Sequence, residues 1–323
     1  MTMNRRHACS ALVSLLPLGA AAQQGDFPTK PITVLAPFAA GGTVDIVARL
    51  LGQRLGPLLK QPMLVENRGG AGGTIATGML TRAAPDGYTL MLHHIGLAFN
   101  ASLYDKLPFD TARDIVPLAY VGATPNVLVV PASLPMQTVA DFLAYAKANP
   151  DAINYGSGGK GSAGHLPMEV LQSMTGVRLT HVPYKGSGPA ITDLMSGQIQ
   201  AMLLTIPAVL PHVQSGRLRA IATSGLKRTP ALPNVPTLDE GGVKGFDYAP
   251  WYGYFAPRGT PAAVLDKLHA TINKGLQDPD IVSKLGVQGL EIEAMPRQQF
   301  ADIVVRDTAA WGKTIRALGL KGG

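Results

Sequence analysis

A glycine turn that occurs twice, at the spacing of one strand-plus-helix unit, limits this chain to a small set of folds. Ala40-Gly41-Gly42-Thr43-Val44 is echoed 31 residues later by Ala71-Gly72-Gly73-Thr74-Ile75. The first copy follows a short β-branched run, Ile32 to Leu35, and precedes Val47, Leu50, Leu51, Leu55 and Leu58 at helical spacing. The second follows Met63 to Glu66. Each reads as a strand end, a tight turn and a helix start. Thr43 and Thr74 are the expected N-caps, and Asp45 suits the positive end of the helix dipole. In a parallel sheet both turns emerge at the carboxyl edge, where open α/β folds bind ligands. Without a Cβ at Gly41 and Gly42, a ligand oxygen can approach the backbone N–H groups. The same turn also serves as plain punctuation between a strand and a helix.

Residues 1–22 stand apart from the folding pattern. Arg5 and Arg6 precede a mostly apolar run from Ala8 to Leu18, and Ala20-Ala21-Ala22 offers a cleavage site before Gln23. This is a secretory signal peptide, too short to span a membrane. Ordinary export fits it, and Arg5-Arg6 also fits a twin-arginine signal. The single cysteine, Cys9, lies inside it, so the mature chain is expected to have neither disulfide nor thiol chemistry. The formal charge of +7 falls to roughly +5 once Arg5 and Arg6 are removed. A mild basic excess suits an acidic small molecule. Nucleic acid is not an expected partner, because Lys and Arg are scattered with no aromatic interleaving. At 323 residues and 46% hydrophobic content the chain can build two cored domains.

From Pro31 onward short apolar strands alternate with amphipathic helices, the pattern of parallel α/β sheets. Tyr88 to Leu92 reads as a third strand ending at His93-His94, and Asn100 to Pro108 as a connector. Neighbouring residues on a strand face opposite sides, so the two histidines make a poor metal pair, while one of them can line a cleft. Val116–Val121, a break at Gly122 to Pro125, and Val127–Val130 read as an extended crossing into a second domain. There, Thr138 to Asp141 forms a capping box. Strands are expected at Ile153–Tyr155, Leu179–Pro183, Ile199–Leu204 and Leu218–Thr223, with Gly176 stopping a helix and Pro189 opening one. Thr237 to Glu240 is a second capping box, on a short helix. Trp251 to Phe255 crosses back, and helices from Pro261 to Leu276 and Arg297 to Leu318 cover the first sheet. Residues 27–122 with 247–323 are expected as domain 1 and residues 123–246 as domain 2, with the crossings as a hinge.

The loop Gly156-Ser157-Gly158-Gly159-Lys160-Gly161 matches G-x-G-x-x-G in form. A dinucleotide site also wants an acid at the end of the next strand, which here ends in Pro183-Tyr184-Lys185. Lys160 is followed by glycine, so the loop is not a Walker A motif. Ser162 and His165, three residues apart, suggest a nucleophile and a base, but both fall at one helix start with no third partner. Capping by Ser162 and packing or ligand contact by His165 compete with that reading. With no cysteine, no H-E-x-x-H and no dense acidic cluster in the mature chain, neither a metal nor another cofactor is expected. What remains is recognition of an anion by backbone N–H groups and helix N-termini.

Taken together, Pro37 to Asp45 with Ala48-Arg49, Val65 to Gly73, Tyr155-Gly156-Ser157 through His165, His181 to Gly186, Gly197-Gln198-Ile199 and Trp251-Tyr252-Gly253 resemble one family. It is the Bug family, the periplasmic substrate-binding proteins of tripartite tricarboxylate transporters, and the resemblance covers essentially the whole mature chain. It implies an α/β, two-lobed, type II periplasmic-binding-protein fold, the Venus flytrap, each lobe a mostly parallel sheet flanked by helices. It further implies a monomeric, non-enzymatic periplasmic protein that captures a small carboxylate or dicarboxylate for transporter membrane subunits. A ligand sensor for a signalling receptor and a secreted hydrolase using Ser162 and His165 are the alternatives. The residues carried over as ligand-facing are Phe38, Ala40, Gly41, Gly42, Thr43, Gly70, Ala71, Gly72 and Thr74. From the second lobe come Ser157, Gly158, Gly159, Gly161, Ser162, His165, Tyr184, Lys185 and Thr205, and His94 joins them from the variable stretch. One departure stands out. Leu203-Leu204-Thr205-Ile206 leaves Thr205 as the only polar contact where relatives often place a polar or acidic residue, which disfavours an amino-acid ligand.

Overall fold

Val34 and Leu35 are neighbours in sequence and are buried in different cores, and that alternation sets the first layer of the molecule. The computed structural model describes residues 27–321. Strand β1 (Ile32–Ala36) leads through the glycine turn into helix α1 (Thr43–Leu59). β2 (Met63–Asn67) leads through one 3₁₀ turn, Ala71–Gly73, into α2 (Thr74–Thr81). Next come β3 (Thr89–His94), α3 (Gly96–Leu103), α4 (Thr111–Asp114) and β4 (Ile115–Ala123). β5 (Asn126–Pro131), α5 (Val139–Ala148), β6 (Asn154–Ser157), α6 (Leu166–Thr175) and β7 (Thr180–Pro183) follow. Then α7 (Ser187–Met195), β8 (Ala201–Thr205), α8 (Ile206–Gln214) and β9 (Leu218–Thr223) complete the second sheet's share of the chain. The chain ends through β10 (Trp251–Pro257), α9 (Ala262–Leu276), α10 (Pro279–Val287), β11 (Glu291–Ile292) and α11 (Arg297–Ala317).

Two sheets result, ordered β11-β4-β10-β3-β1-β2 and β7-β6-β8-β5-β9. In the first, β1, β2, β3 and β4 point one way; in the second, β6, β7, β8 and β9 do. The mostly parallel expectation therefore holds, apart from the two-residue edge strand β11, antiparallel to β4, and one longer informative exception in each sheet. β5 arrives from the first sheet and β10 from the second, and each inserts antiparallel between two parallel-running strands. The two crossing segments are stitched together. Thr124 N–H donates to the Pro250 carbonyl (3.2 Å), Ser224 N–H to Asn126 (2.8 Å) and Tyr248 N–H to Ser224 (2.8 Å).

Helices cover both faces of the first sheet. Val47, Leu51, Leu55 and Leu59 of α1 share one core with Val34, Leu90 and Leu268 of α9. Leu35 and Met91 face the opposite core with Leu97, Phe99, Phe300 and Ile315, from α3 and α11.

Several local expectations are corrected. Gly42, not Thr43, is the N-cap of α1, with extended backbone (φ −87°, ψ 164°). Glycine tolerates the position, and the Asp45 carboxylate caps the turn from inside by accepting the Gly41 N–H at 3.1 Å. Gly73 likewise replaces Thr74 as the cap of α2. Asn100 to Leu103 belongs to α3 rather than to a connector. Its Leu97, Ala98, Phe99, Asn100 and Leu103 are all buried, so no polar face advertises a helix. α7 opens at Ser187 after Gly186, which places Pro189 third in the helix. The Thr237–Glu240 box forms reciprocally, with Thr237 N–H on Glu240 (2.8 Å) and Glu240 N–H on Thr237 (3.0 Å), but it closes a turn and not a helix. The signal-peptide residues, 1–22, lie outside the described residues.

Candidate functional site

Three helix N-termini converge where the lobes meet. Thr43 and Val44 begin α1, Ser187 begins α7, and Thr205 is the N-cap of α8. All four line one cavity of about 40 Å³, several times the ~10–15 Å³ that a single water requires. The first N–H groups of a helix have no intrahelical acceptor, and their dipoles sum to about half a positive charge. An anion here meets those donors from both lobes.

The lobes touch through side chains and backbone. Thr43 Oγ1 and Thr205 Oγ1 lie 2.6 Å apart, and the Tyr252 phenol sits against the same two hydroxyls. Burial raises the Tyr252 pKa, partly offset by those hydroxyls, so it stays protonated. Ala39 N–H donates to the Lys185 carbonyl at 3.0 Å. A Cβ added to Gly188 would overlap the Ala40 carbonyl, and one added to Gly72 would overlap that of Lys160. The seam is therefore closed at two points where glycine lets backbones abut.

Polar groups inside the cavity are ready for a guest. His94 is stacked on Phe38 with centroids 4.6 Å apart. Its Nδ1 accepts the Gly96 N–H at 2.8 Å, which leaves Nε2 to carry the hydrogen of the neutral ring. Burial, then the neighbouring His93, holds the His94 pKa well below its ordinary value. Ser162 Oγ is buried with no hydrogen-bond partner among the described residues. That overturns its reading as a helix cap: α6 starts at Leu166 with His165 in the cap position. Ser162 is held in place from behind, since Asn126 Nδ2 donates to the Ala163 (2.8 Å) and Leu203 (3.0 Å) carbonyls.

His165 lies behind the loop. Its Nδ1 accepts the Gly161 N–H at 3.3 Å, and its Nε2 faces the Glu169 carboxylate at 3.7 Å. Its ring packs against His181 at 4.3 Å, and the His181 Nε2 meets Ser157 Oγ at 2.7 Å. Burial, then His181 and Lys160, brings the His165 pKa to about 3; burial, then Lys160, brings that of His181 to about 4. Both rings are neutral brackets for the glycine loop. Ser162 and His165 share no side-chain hydrogen bond, so the nucleophile–base contact that a hydrolase needs is not made.

The other residues expected at the site distribute clearly. Phe38, Thr43, His94, Gly158, Ser162 and Thr205 line the inner cavity. Ala71, Gly72, Gly159, Tyr184 and Lys185 line a separate outer recess of about 620 Å³ at the seam. Tyr184 there donates to Asp193 at 2.6 Å. Ala40, Gly41 and Gly42 form the seam itself, with the ideal Cβ of Gly42 2.7 Å from Ser187 Oγ. Gly70 packs against Ile75, Thr74 opens α2, Gly161 abuts Leu103 and Asn100 of α3 across the seam, and Ser157 and His165 brace the loop from behind. Sequence reasoning missed Val44, Ala163, Gly164, Ser187, Leu204 and Tyr252 as lining residues. Val44, Ala163, Gly164, Leu204 and Tyr252 stood inside stretches already singled out and Ser187 directly follows one, at Gly186; the apolar ones carry no polar group that would mark them as lining.

Known proteins point the same way. The model for the tripartite tricarboxylate transporter family receptor matches residues 47–320. Protein BugT of Bordetella pertussis is 36% identical over 297 residues, 91% of each chain. The structure of R. palustris Rpa4515 with adipate is 36% identical with a TM-score of 0.89, covering 92% of this chain and 99% of that one. MatC from Rhodopseudomonas palustris with bound malate is 33% identical with a TM-score of 0.86, covering 90% and 100%. These relatives are binding proteins rather than enzymes. A two-lobed fold whose lobes close on helix N-termini, matched along nearly its whole length, belongs to the tripartite tricarboxylate transporter receptor family, the Bug proteins.

Proposed function

We propose that this protein captures a small organic acid, a carboxylate or dicarboxylate, in the interlobe cavity and delivers it to transporter membrane subunits of the tripartite tricarboxylate type. The observation that carries this reading is the convergence of α1, α7 and α8 on one interlobe cavity. Charge-assisted hydrogen bonds contribute roughly 1.5–3 kcal/mol each. Each helix N-terminus adds about 0.3–2 kcal/mol. Three or four such bonds, less the cost of ordering, reach the roughly 8 kcal/mol of a micromolar site. Relatives with adipate and malate support the acid as ligand.

The remaining assignments follow from that role. Residues 1–22 direct export to the periplasm, and the mature protein acts as a monomer. Residues 27–122 with 247–323 move as one lobe against residues 123–246, hinged on the stitched crossings at Thr124 and Ser224. Phe38, Thr43, His94, Gly158, Ser162 and Thr205 contact the acid directly. Calorimetric titration of the purified protein with a panel of organic acids tests the reading. Stoichiometric binding without product formation is expected; multiple turnovers, or silence across the panel, would refute it.

A further inference from the structure

We propose that Arg49, which does not line the cavity, is a positioning residue for binding: it holds and neutralises the Asp45 carboxylate at the N-terminus of α1, leaving that helix end free to attract the acid. The inference rests on the cavity being the acid-binding site. Thr43 and Val44, the first two residues of α1, line the cavity, and Asp45 is the third residue of the same helix. The Asp45 side chain is only 8% exposed, and one of its oxygens accepts the Gly41 N–H at 3.1 Å. The carboxylate therefore caps the glycine turn and sets a fixed negative charge beside an anion site. Asp45 and the acid draw on the same helix dipole, and their charges repel one another.

Arg49 supplies the counter-charge from one turn further along α1. Its Nε donates to the other Asp45 oxygen at 2.9 Å, a pairing that the four-residue spacing brings onto one helix face. Its Nη2 donates to Asn67 Oδ1 at 3.0 Å, and Asn67 Nδ2 donates to the Phe38 carbonyl at 3.0 Å. The guanidinium fork is thus tied at both ends, to the carboxylate and to the strand end beside Phe38, itself part of the cavity wall. Arg68, the next arginine in this region, is engaged by Glu66. Arg49 is half exposed, so solvent screens the pair and its effect on the acid is modest in size.

A charge-swap series on the whole purified protein tests it. Calorimetric titration of the wild type with malate, succinate, adipate and butyrate selects the tightest as the probe for every variant, with melting temperatures as the control for folding. Arg49→Gln is expected to weaken binding about fivefold or more, because it leaves Asp45 uncompensated. Asp45→Asn keeps an oxygen for the Gly41 N–H and removes the charge, so adding it to Arg49→Gln is expected to restore binding about threefold or more. A merely structural Arg49 predicts the reverse, since the double variant has lost both ends of the pair. Arg49→Lys keeps the charge without the fork and is expected to bind more tightly than Arg49→Gln. Unchanged affinity in Arg49→Gln, no recovery in the double variant, or Arg49→Lys as weak as Arg49→Gln overturns the inference while the acid-binding reading stands. If Arg49→Gln does not fold, Asp45→Asn alone decides: tighter binding than wild type supports the inference, and binding no tighter overturns it. Silence of the wild type with all four acids overturns the acid-binding reading and this inference with it.

Discussion

Thr43 and Thr205, which open helices in different lobes, share a hydrogen bond of 2.6 Å between their side-chain oxygens. The bond can exist only when the lobes are together, so it favours the closed form. Thr205→Val keeps the shape and removes the hydroxyl. A hydrogen bond contributes about 0.5–1.5 kcal/mol net, so affinity for the tightest-binding acid is expected to fall roughly 2- to 13-fold. Calorimetry on wild type and variant, with melting temperatures as a control for folding, checks it.

Gly188 marks the other kind of contact, backbone against backbone. A methyl group there would strike the Ala40 carbonyl across the seam. Gly188→Ala is expected to hold the lobes apart and to weaken acid binding at least 100-fold, with each lobe still folded. Gly176→Ala is the comparison. Gly176 sits at φ 71° with open space around it, so its variant loses about 1 kcal/mol of stability and binds normally. Equal affinities for the two variants would remove the seam from the binding mechanism.

Ser162→Ala separates a ligand contact from a structural one. The Oγ is buried and unpaired, so deleting it should leave the melting temperature unchanged or slightly raised. Affinity should nevertheless drop several-fold, because the ligand loses a partner. A loss of stability would mean that the hydroxyl serves the fold instead.

Acid should loosen the molecule well before its carboxylates titrate. Burial, only partly countered by the His94 carbonyl, brings the His93 pKa to about 3; burial, then His181 and Lys160, brings that of His165 to about 3. The unfolded chain protonates these rings near pH 6.5, so the unfolded state binds more protons below that pH. Stability is full above pH 6.5 and is lost as pH falls toward 3, by up to about 1.4 kcal/mol per pH unit for each ring. Asp141 and Glu240 are depressed below their ordinary values by hydrogen bonds, from Gln137 N–H and Thr237 N–H first, so their contribution is lost only at lower pH. Denaturant melts between pH 7 and pH 4.5 are expected to show the loss, and a flat profile would contradict it.

The architecture was legible because it is written in periodicity and punctuation. β1, β9 and α5 fall within a residue or so of where the alternation and the Thr138 box place them. α3 was not, since a helix buried on nearly every side has no amphipathic stripe. At the site, the first glycine turn does lie at the cavity, but its partner jaw is not the second turn. Gly72 faces the outer recess, and Ser187 and Thr205 face Thr43 instead. Local motif similarity cannot reveal that pairing, because it depends on how two separate sheets are set against each other. Leu204 and Val44 were invisible for a simpler reason: a residue that shapes a cavity only by being apolar looks like any core residue.

The placement of β10 also governs when the protein can finish folding. β3 and β4 leave the chain early but bond to each other only through residues 251–257, which lie between them. Their facing edges stay unpaired until the last quarter of the sequence is present, whereas the second sheet has all of its strands once Thr223 exists. Long-range pairings of this kind form slowly. The lobe that begins the chain is therefore the last to close, and its sheet remains unsealed for nearly the whole length of the polypeptide.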